Sequence, residues 1–336
     1  MHFKEIIGQR TVIKSLENSI RNHMVSHAYI FEGPEGIGKK TVASIFATAL
    51  TCKSLQVQPC GVCTSCIKSK SNNHPDIKTI EDNGNHIGVD IVRELQKDIY
   101  IKPYESNKKI YIIPRADRMT VQAQNSLLKI FEEPPEYGVM ILTTVNASLL
   151  LSTILSRAIL VRFRIHPYEE IETFLRKEYP ELKEEISSLA MLSGGVIGRA
   201  KAIASSEEFR DMRQEVVEVI TRLLSDSEWD VLNVINYFND HKHIIELILD
   251  FLLLWFRDIL FIKELHSESM VINIDMRGKL HEFSRKVSSR AVCNIIDIIL
   301  DIKKKISMNA NYTLAIETML IKSWEEVHGK GSRCAI

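Results

Sequence analysis

The sequence has no excess of either charge. Its 336 residues carry 43 Lys+Arg against 43 Asp+Glu, a formal net charge of 0. That excludes a strongly basic protein that coats nucleic acid, and equally an acidic disordered tail. Uninterrupted apolar runs of the ~20 residues that a membrane span needs are missing too. The most apolar stretch, Ile244 to Ile262, is broken by Glu246, Asp250, Arg257 and Asp258 and reads as a buried helix with a few charges on its wet side. The opening Met1-His2-Phe3-Lys4-Glu5 has no apolar run behind a basic start, so no secretory signal is expected. Cys334 stands third from the end, not fourth, and does not fit a prenylation box. There is no internal repeat and no low-complexity segment. Cysteine is scarce, with six in all, and a chain of this length buries a large core without disulfide staples.

What is present is an ordinary globular composition, 45% hydrophobic and 26% charged. At ~150 residues per domain the length suggests two or three domains. Residues 10 to 22 place apolar side chains at 12, 13, 16 and 20, which is helical spacing. His27 to Phe31 is a short apolar run. A glycine turn stops it, and a small-residue helix follows from Thr41 to Ala47. Strand, glycine turn, helix is the opening of an α/β unit. Ile110–Ile113, Val139–Thr144 and Ile159–Phe163 read as further strands, with an amphipathic helix from Val121 to Phe131 stopped by Pro134-Pro135. Beyond His166-Pro167 long amphipathic helices dominate, and Met270–Ile274 is the one later stretch with a weak strand pattern. Boundaries are expected near 166, and near 208 after the glycine run Gly194-Gly195-Val196-Ile197-Gly198.

Gly33-Pro34-Glu35-Gly36-Ile37-Gly38-Lys39 matches the G-x-x-x-x-G-K part of a phosphate-binding loop. Its glycines let backbone N–H groups turn toward phosphate oxygens at a helix N-terminus, and Lys39 would reach the β- and γ-phosphates of ATP or ADP. The next residue breaks the pattern. A hydroxyl that holds Mg²⁺ belongs there, and this chain has Lys40. Thr41 is rotated from that position by about 100° on a helix of 3.6 residues per turn. Hydrolysis also needs an acid at the tip of a second strand, but Ile110–Ile113 is followed by Pro114-Arg115. Asp117 falls past the tip and reads as a solvated turn or cap residue. A pocket with the cradle but neither the hydroxyl nor the acid binds nucleotide and hydrolyses it poorly.

Four cysteines, Cys52, Cys60, Cys63 and Cys66, lie within fifteen positions. Clustered thiols without an export signal favour metal over disulfide and a cytoplasmic location. Four thiolates close a tetrahedral Zn²⁺ site with no position open to water, so the expected role is structural. Free buried thiols or a redox pair is the plainer alternative. His74, ahead of Pro75, reads as a turn residue rather than a ligand. Arg157, after Leu155-Ser156, is on composition alone a surface residue or salt-bridge partner.

Taken together these residues resemble the AAA+ clamp-loader subunits of bacterial DNA polymerase III, most of all the delta-prime branch of that family. Phe3-x-x-Ile6-Ile7-Gly8-Gln9, the strand and loop from His27 to Lys39, and the four-cysteine insertion carry the likeness. So do His74-Pro75-Asp76, Asn125 through Glu132-Glu133-Pro134-Pro135, Leu155-Ser156-Arg157 and Asn309-Ala310-Asn311. The match is dense to about residue 205 and looser beyond. Ala158 departs from the Cys of the family's Ser-Arg-Cys motif, as Lys40 and Pro114-Arg115 depart from its ATPases.

The resemblance implies an α/β AAA+ nucleotide-binding domain over residues 1–165 with its zinc module at 52–66. A helical lid at 166–208 and an all-helical collar domain at 209–330 would follow. It also implies a five-membered ring with gamma/tau and delta subunits that loads the sliding clamp on primed DNA, with no membrane partner. Arg157 would be an arginine finger offered to a neighbour's nucleotide. Two rivals stand beside this reading. One is an active ATPase motor subunit of the gamma/tau kind. The other is a stand-alone zinc module that binds nucleic acid.

Overall fold

The computed structural model describes residues 2–54, 59–80, 86–223, 231–265 and 270–328. Cys334 lies outside them. The chain divides into two compact units, Met1–Ile171 with Gly195–Gly198, and Glu172–Gly194 with Arg199–Ile336.

The first unit is built on a parallel sheet. Its strands are β1 (Ala28–Glu32), β2 (Ile77–Thr79), β3 (Lys109–Ile113), β4 (Gly138–Thr144) and β5 (Ile159–Arg162), in the order β2-β3-β4-β1-β5. Ala28 stands opposite Met140 and Tyr29 opposite Ile159, so β1 lies between β4 and β5. Helices cover both faces, which is why β1, β3 and β4 read as unbroken apolar runs. The alternation is still visible in what each residue touches. Tyr29, Phe31, Ile110, Ile112, Val139 and Ile141 pack on one side, with Val12 and Leu16 of α1 (Arg10–Arg21) and Val42, Phe46 and Ala49 of α2 (Lys39–Thr51). Ala28, Ile30, Tyr111, Ile113, Met140 and Leu142 pack on the other. There they meet Val92, Leu95 and Ile99 of α4 (Val89–Ile99) and Leu127 and Phe131 of α5 (Val121–Glu132). Between α2 and α4 stands the short α3 (Thr64–Lys70). Thr120 caps α5 by accepting the N–H of Ala123. The strand expected over Ile159–Phe163 ends one residue early, and as an edge strand it is largely exposed, whereas Phe163 is buried.

Asp98, near the end of α4, ties β2, β3 and α4 together. It accepts from Lys78 Nζ at 2.7 Å, from Lys109 Nζ at 3.2 Å and from the Tyr111 hydroxyl. Burial would raise its pKa, but the hydrogen bonds from Lys78, Tyr111 and Lys109 outweigh it and bring it to about 2. A carboxylate depressed in the fold stabilises above its unfolded pKa of 3.8 and loses that contribution as pH falls toward 2. Asp98→Asn should therefore cost about 2 kcal/mol at pH 7 and flatten the acid limb of the stability curve below pH ~4. Urea melts across pH check this; the same slope in both proteins would refute it.

The second unit is helical. α7 (Tyr168–Glu178) leads into it, followed by α8 (Ile186–Leu192), α9 (Ile197–Ala204), α10 (Glu207–Leu223), α11 (Val231–Asp240), α12 (Ile245–Leu265), α13 (Arg277–Lys286), α14 (Ser289–Ser307) and α15 (Tyr312–His328). α12 is the axis and buries Phe251, Trp255 and Phe256. Its apolar breadth is core and not membrane, since among the described residues no helix is long and apolar enough to cross a bilayer. The weak strand pattern at Met270–Ile274 does not become a strand. Asp258, fully buried on α12, captures that backbone instead, accepting the N–H of Ile272 at 3.1 Å and of Asn273 at 2.9 Å, along with the Asn273 side chain. Buried Arg213 on α10 is held by Asn273 and Asp275 and lies over the Phe251 ring.

Candidate nucleotide cleft and metal centre

The glycine loop sits where β1 hands over to α2, at the carboxyl end of the sheet. β4 and β5 flank β1 here, the usual place for a ligand crevice in such sheets. Gly36 and Gly38 adopt φ of +80° and +104°, which L side chains rarely tolerate. Lys39, 8% exposed, folds its Nζ back to donate to the carbonyls of Gly33 at 2.5 Å and Pro34 at 2.8 Å. Burial draws its pKa below the usual lysine range, partly offset by the charges of Glu35 and Asp117. The loop is backed by Gly198, whose N–H donates to the Gly36 carbonyl at 2.9 Å. A Cβ on Gly198 would meet that oxygen at 2.7 Å, which gives the glycine run at 194–198 a purpose that its composition did not disclose.

In front of the loop opens a cleft of ≈ 700 Å³, within the usual range for small-molecule sites. Gly36, Gly38, Lys39, Lys40 and Thr41 line one wall. Pro114, Arg115, Asp117, Thr143 and Thr144 line another. Thus all but Gly33 of the residues expected to cradle phosphate reach the cleft. Arg115 stands at the tip of β3, where an acid is missing. Its φ of +50° is left-handed, its N–H bonds Thr143 Oγ1 at 3.3 Å, and its guanidinium meets Glu35 at 2.8 Å. Asp117 lies on the turn Ala116–Arg118, as expected of a turn residue, and there it also lines the cleft and accepts the N–H of Val145 at 3.3 Å.

The four cysteines converge. Their sulfurs all lie within 4.8 Å of one another, with Cys60 and Cys66 3.9 Å apart. A tetrahedron of Zn–S bonds of about 2.3 Å has edges of about 3.8 Å, so the set fits that ion. Backbone N–H groups point at sulfur: Cys60 to Cys52 at 3.4 Å, Cys63 to Cys60 at 3.4 Å and Cys66 to Cys63 at 3.5 Å. Burial opposes charge on Cys63, but the N–H groups of Lys53 and Cys66 and the neighbouring thiols bring it to about 6, whereas burial pushes Cys66 up. The cluster can hold a metal. His74 is outside it. Its Nδ1 accepts the N–H of Asp76, so Nε2 carries the proton and donates to Ser65 of α3 at 3.0 Å. Asp76, buried beside it, accepts the N–H groups of Tyr104, Glu105 and Ser106.

Arg157 lies just past the short α6 (Ser152–Leu155). It donates to the Thr153 carbonyl at 3.1 Å and to Glu132, the last residue of α5, at 3.1 Å, and stays 37% exposed. Nothing in the sequence had named Glu132 as its partner.

Residues 8–167 match the family described as DNA polymerase III, delta subunit, and residues 207–326 match the family described as its C-terminal part. DNA polymerase III subunit delta' of Bacillus subtilis is 31% identical over 322 residues, spanning 93% of this chain and 95% of that protein. Subunit tau of the same organism is 26% identical over 97% of this chain but only 62% of its own length. The gamma/tau subunit of Mycobacterium tuberculosis is 36% identical over 52% of this chain and 31% of its own. A gamma subunit-related protein from Thermotoga maritima overlaps at a TM-score of 0.46 with 20% identity, over 93% of this chain and 99% of the other. With 31% identity along nearly the full length of one subunit type and only partial coverage of the longer gamma/tau proteins, the chain belongs to the delta-prime subunits of the bacterial DNA polymerase III clamp loader, an AAA+ family.

Proposed function

We propose that this chain is a clamp-loader subunit that holds a nucleotide without cutting it and exerts its effect on neighbouring subunits. The observation that carries this is the wall of the cleft itself. Lys40 stands where a hydroxyl would hold Mg²⁺, and Arg115 stands where a strand-tip acid would. Neither ammonium nor guanidinium can ligate a cation, so an in-line water has no metal to activate or orient it. Gly36, Gly38, Lys39 and Thr41 then serve as a phosphate cradle for ATP or ADP, and Gly33, outside the cleft lining, braces Lys39 through its carbonyl.

In this reading the chain joins gamma/tau and delta subunits in a five-membered ring that opens the sliding clamp and loads it on primed DNA. Residues 166–208 act as a lid and 209–330 as a collar. Arg157 reaches a neighbour's γ-phosphate, and its exposure supports that role. Cys52, Cys60, Cys63 and Cys66 hold one structural Zn²⁺. The balanced charge argues that this chain alone binds DNA weakly.

The purified chain should show no DNA-stimulated ATP hydrolysis. Phosphate release assays on primed DNA decide it: steady turnover abolished by Lys39→Ala would make the chain a motor subunit and end this reading.

A further inference from the structure

We propose that Arg115 takes the place of the magnesium ion, so that the cleft binds a nucleoside di- or triphosphate in its metal-free form. This rests on the nucleotide cleft proposed above and names the form of ligand it selects. A nucleotide's phosphate chain is a dense anion that Mg²⁺ ordinarily neutralises. Here the protein supplies the neutralising charge itself. Four cations line the cleft, Lys39, Lys40, Arg115 and Arg118, against two acids, Glu35 and Asp117.

Mg²⁺ demands oxygen ligands in near-octahedral order and parts reluctantly with its water. Neither protein position that would ordinarily supply those oxygens offers one, since Lys40 and Pro114-Arg115 stand there, and the charges of Lys40 and Arg115 repel a divalent ion. A guanidinium suits phosphate well, because its planar fork makes two charge-assisted hydrogen bonds at once.

The geometry is that of a group held ready. Arg115 keeps a left-handed φ of +50°, an uncommon backbone for an arginine, which fixes where its side chain leaves β3. Its guanidinium already spans the cleft to Glu35 on the phosphate loop at 2.8 Å, which puts it within reach of any anion seated on that loop. Arg115 and Glu35 are 46% and 72% exposed. Exposed pairs are weak, so a phosphate can displace the carboxylate. Glu35 thus acts as a competitor that holds Arg115 in place and lowers affinity.

The test is calorimetric titration of the intact chain with ADP and with ATP, in resin-stripped buffer and in buffer with millimolar MgCl₂. Chelators are avoided because they would strip the cysteine cluster. Affinity without magnesium should equal or exceed affinity with it, to within about threefold. Arg115→Ala should lose about tenfold or more in the stripped buffer, roughly the value of one charge-assisted contact. Glu35→Gln should tighten binding several-fold, and by much less in the Arg115→Ala background, which separates release of Arg115 from mere removal of a cleft acid. Arg115→Asp should bind only when magnesium is added. A loss of about tenfold on removing magnesium from the wild type, with binding intact in its presence, would overturn the role of Arg115 and leave the nucleotide cleft standing. No binding in either buffer would overturn both.

Discussion

Arg157→Ala is expected to leave this chain folded and to depress ATP turnover by the reconstituted ring on primed DNA. Arginine fingers offered in trans are worth 10³–10⁵-fold where they act, which is about 4–7 kcal/mol of transition-state stabilisation. Dilution among several sites in a ring would reduce the observed drop, yet about tenfold is a conservative floor. The competing account is local. Arg157 pairs with Glu132 at 3.1 Å, between side chains 37% and 53% exposed, and such a pair contributes ~0–1 kcal/mol. The two accounts differ by enough to be separated. If the pair were the whole role, Arg157→Ala and Glu132→Gln would each shift the melting temperature slightly and leave ring turnover alone. If Arg157 is a finger, only its own substitution stops the ring, and Arg157→Lys fails to rescue because a point charge cannot reproduce the fork. Ring turnover equal to wild type in Arg157→Ala would remove the finger from the proposal.

Much of the first unit was legible because its information is local. Strands buried on both faces must be apolar through their middles, and β1, β3 and β4 are, with polar residues only at their ends (Glu32, Lys109, Thr143 and Thr144). The glycine loop and the cysteine spacing are short motifs whose geometry follows from backbone freedom and thiol chemistry. β2 escaped notice because a three-residue edge strand carries no periodicity. α4 was missed although Val92, Leu95 and Ile99 keep helical spacing. The strand order was not legible either, since it depends on pairings such as Ala28 with Met140 across more than a hundred residues.

The polar braces were hidden for the same reason. Asp76 finds its partners near residue 105, Arg213 finds Asn273 and Asp275, and Asp258 captures Asn273. In each case distant backbone or side-chain groups help to satisfy a buried polar group, for Asp258 together with its neighbour Arg257. The false strand at Met270–Ile274 shows the converse. β-branched residues there promised a ladder, but the N–H groups were taken by one buried carboxylate. At the cleft, sequence registered Pro114-Arg115 in place of the acids after β3 but not the pairing of Arg115 with Glu35, 80 positions away.

Removal of the metal should undo the cysteine segment while sparing the sheet. Elemental analysis of the purified chain should find one zinc. The cysteine segment has too little core of its own to hold it. α3 has seven residues, far fewer than the ~12–15 an isolated helix needs to be even marginal. It buries only Ser65 and Cys66, whereas Val62 and Ile67 are 78% and 57% exposed. What anchors it besides sulfur is its contact with α2, the Ser65–His74 hydrogen bond, worth ~1 kcal/mol, and the partly exposed Lys68–Glu105 ion pair, worth ~0–1 kcal/mol. A structural zinc contributes ~10–16 kcal/mol in small domains, so nothing else nearby is of the size required. Chelation, or Cys63→Ser, should therefore expose the amides of Thr64–Lys70 to hydrogen exchange within seconds to minutes. Amides of β1 and β4, sealed between two helical layers, should stay protected. The melting temperature should fall, by less than full unfolding of the unit would demand, because the sheet core does not include the cluster. Protein that contains no zinc and still protects the Thr64–Lys70 amides would show that the four thiols hold this segment without a metal.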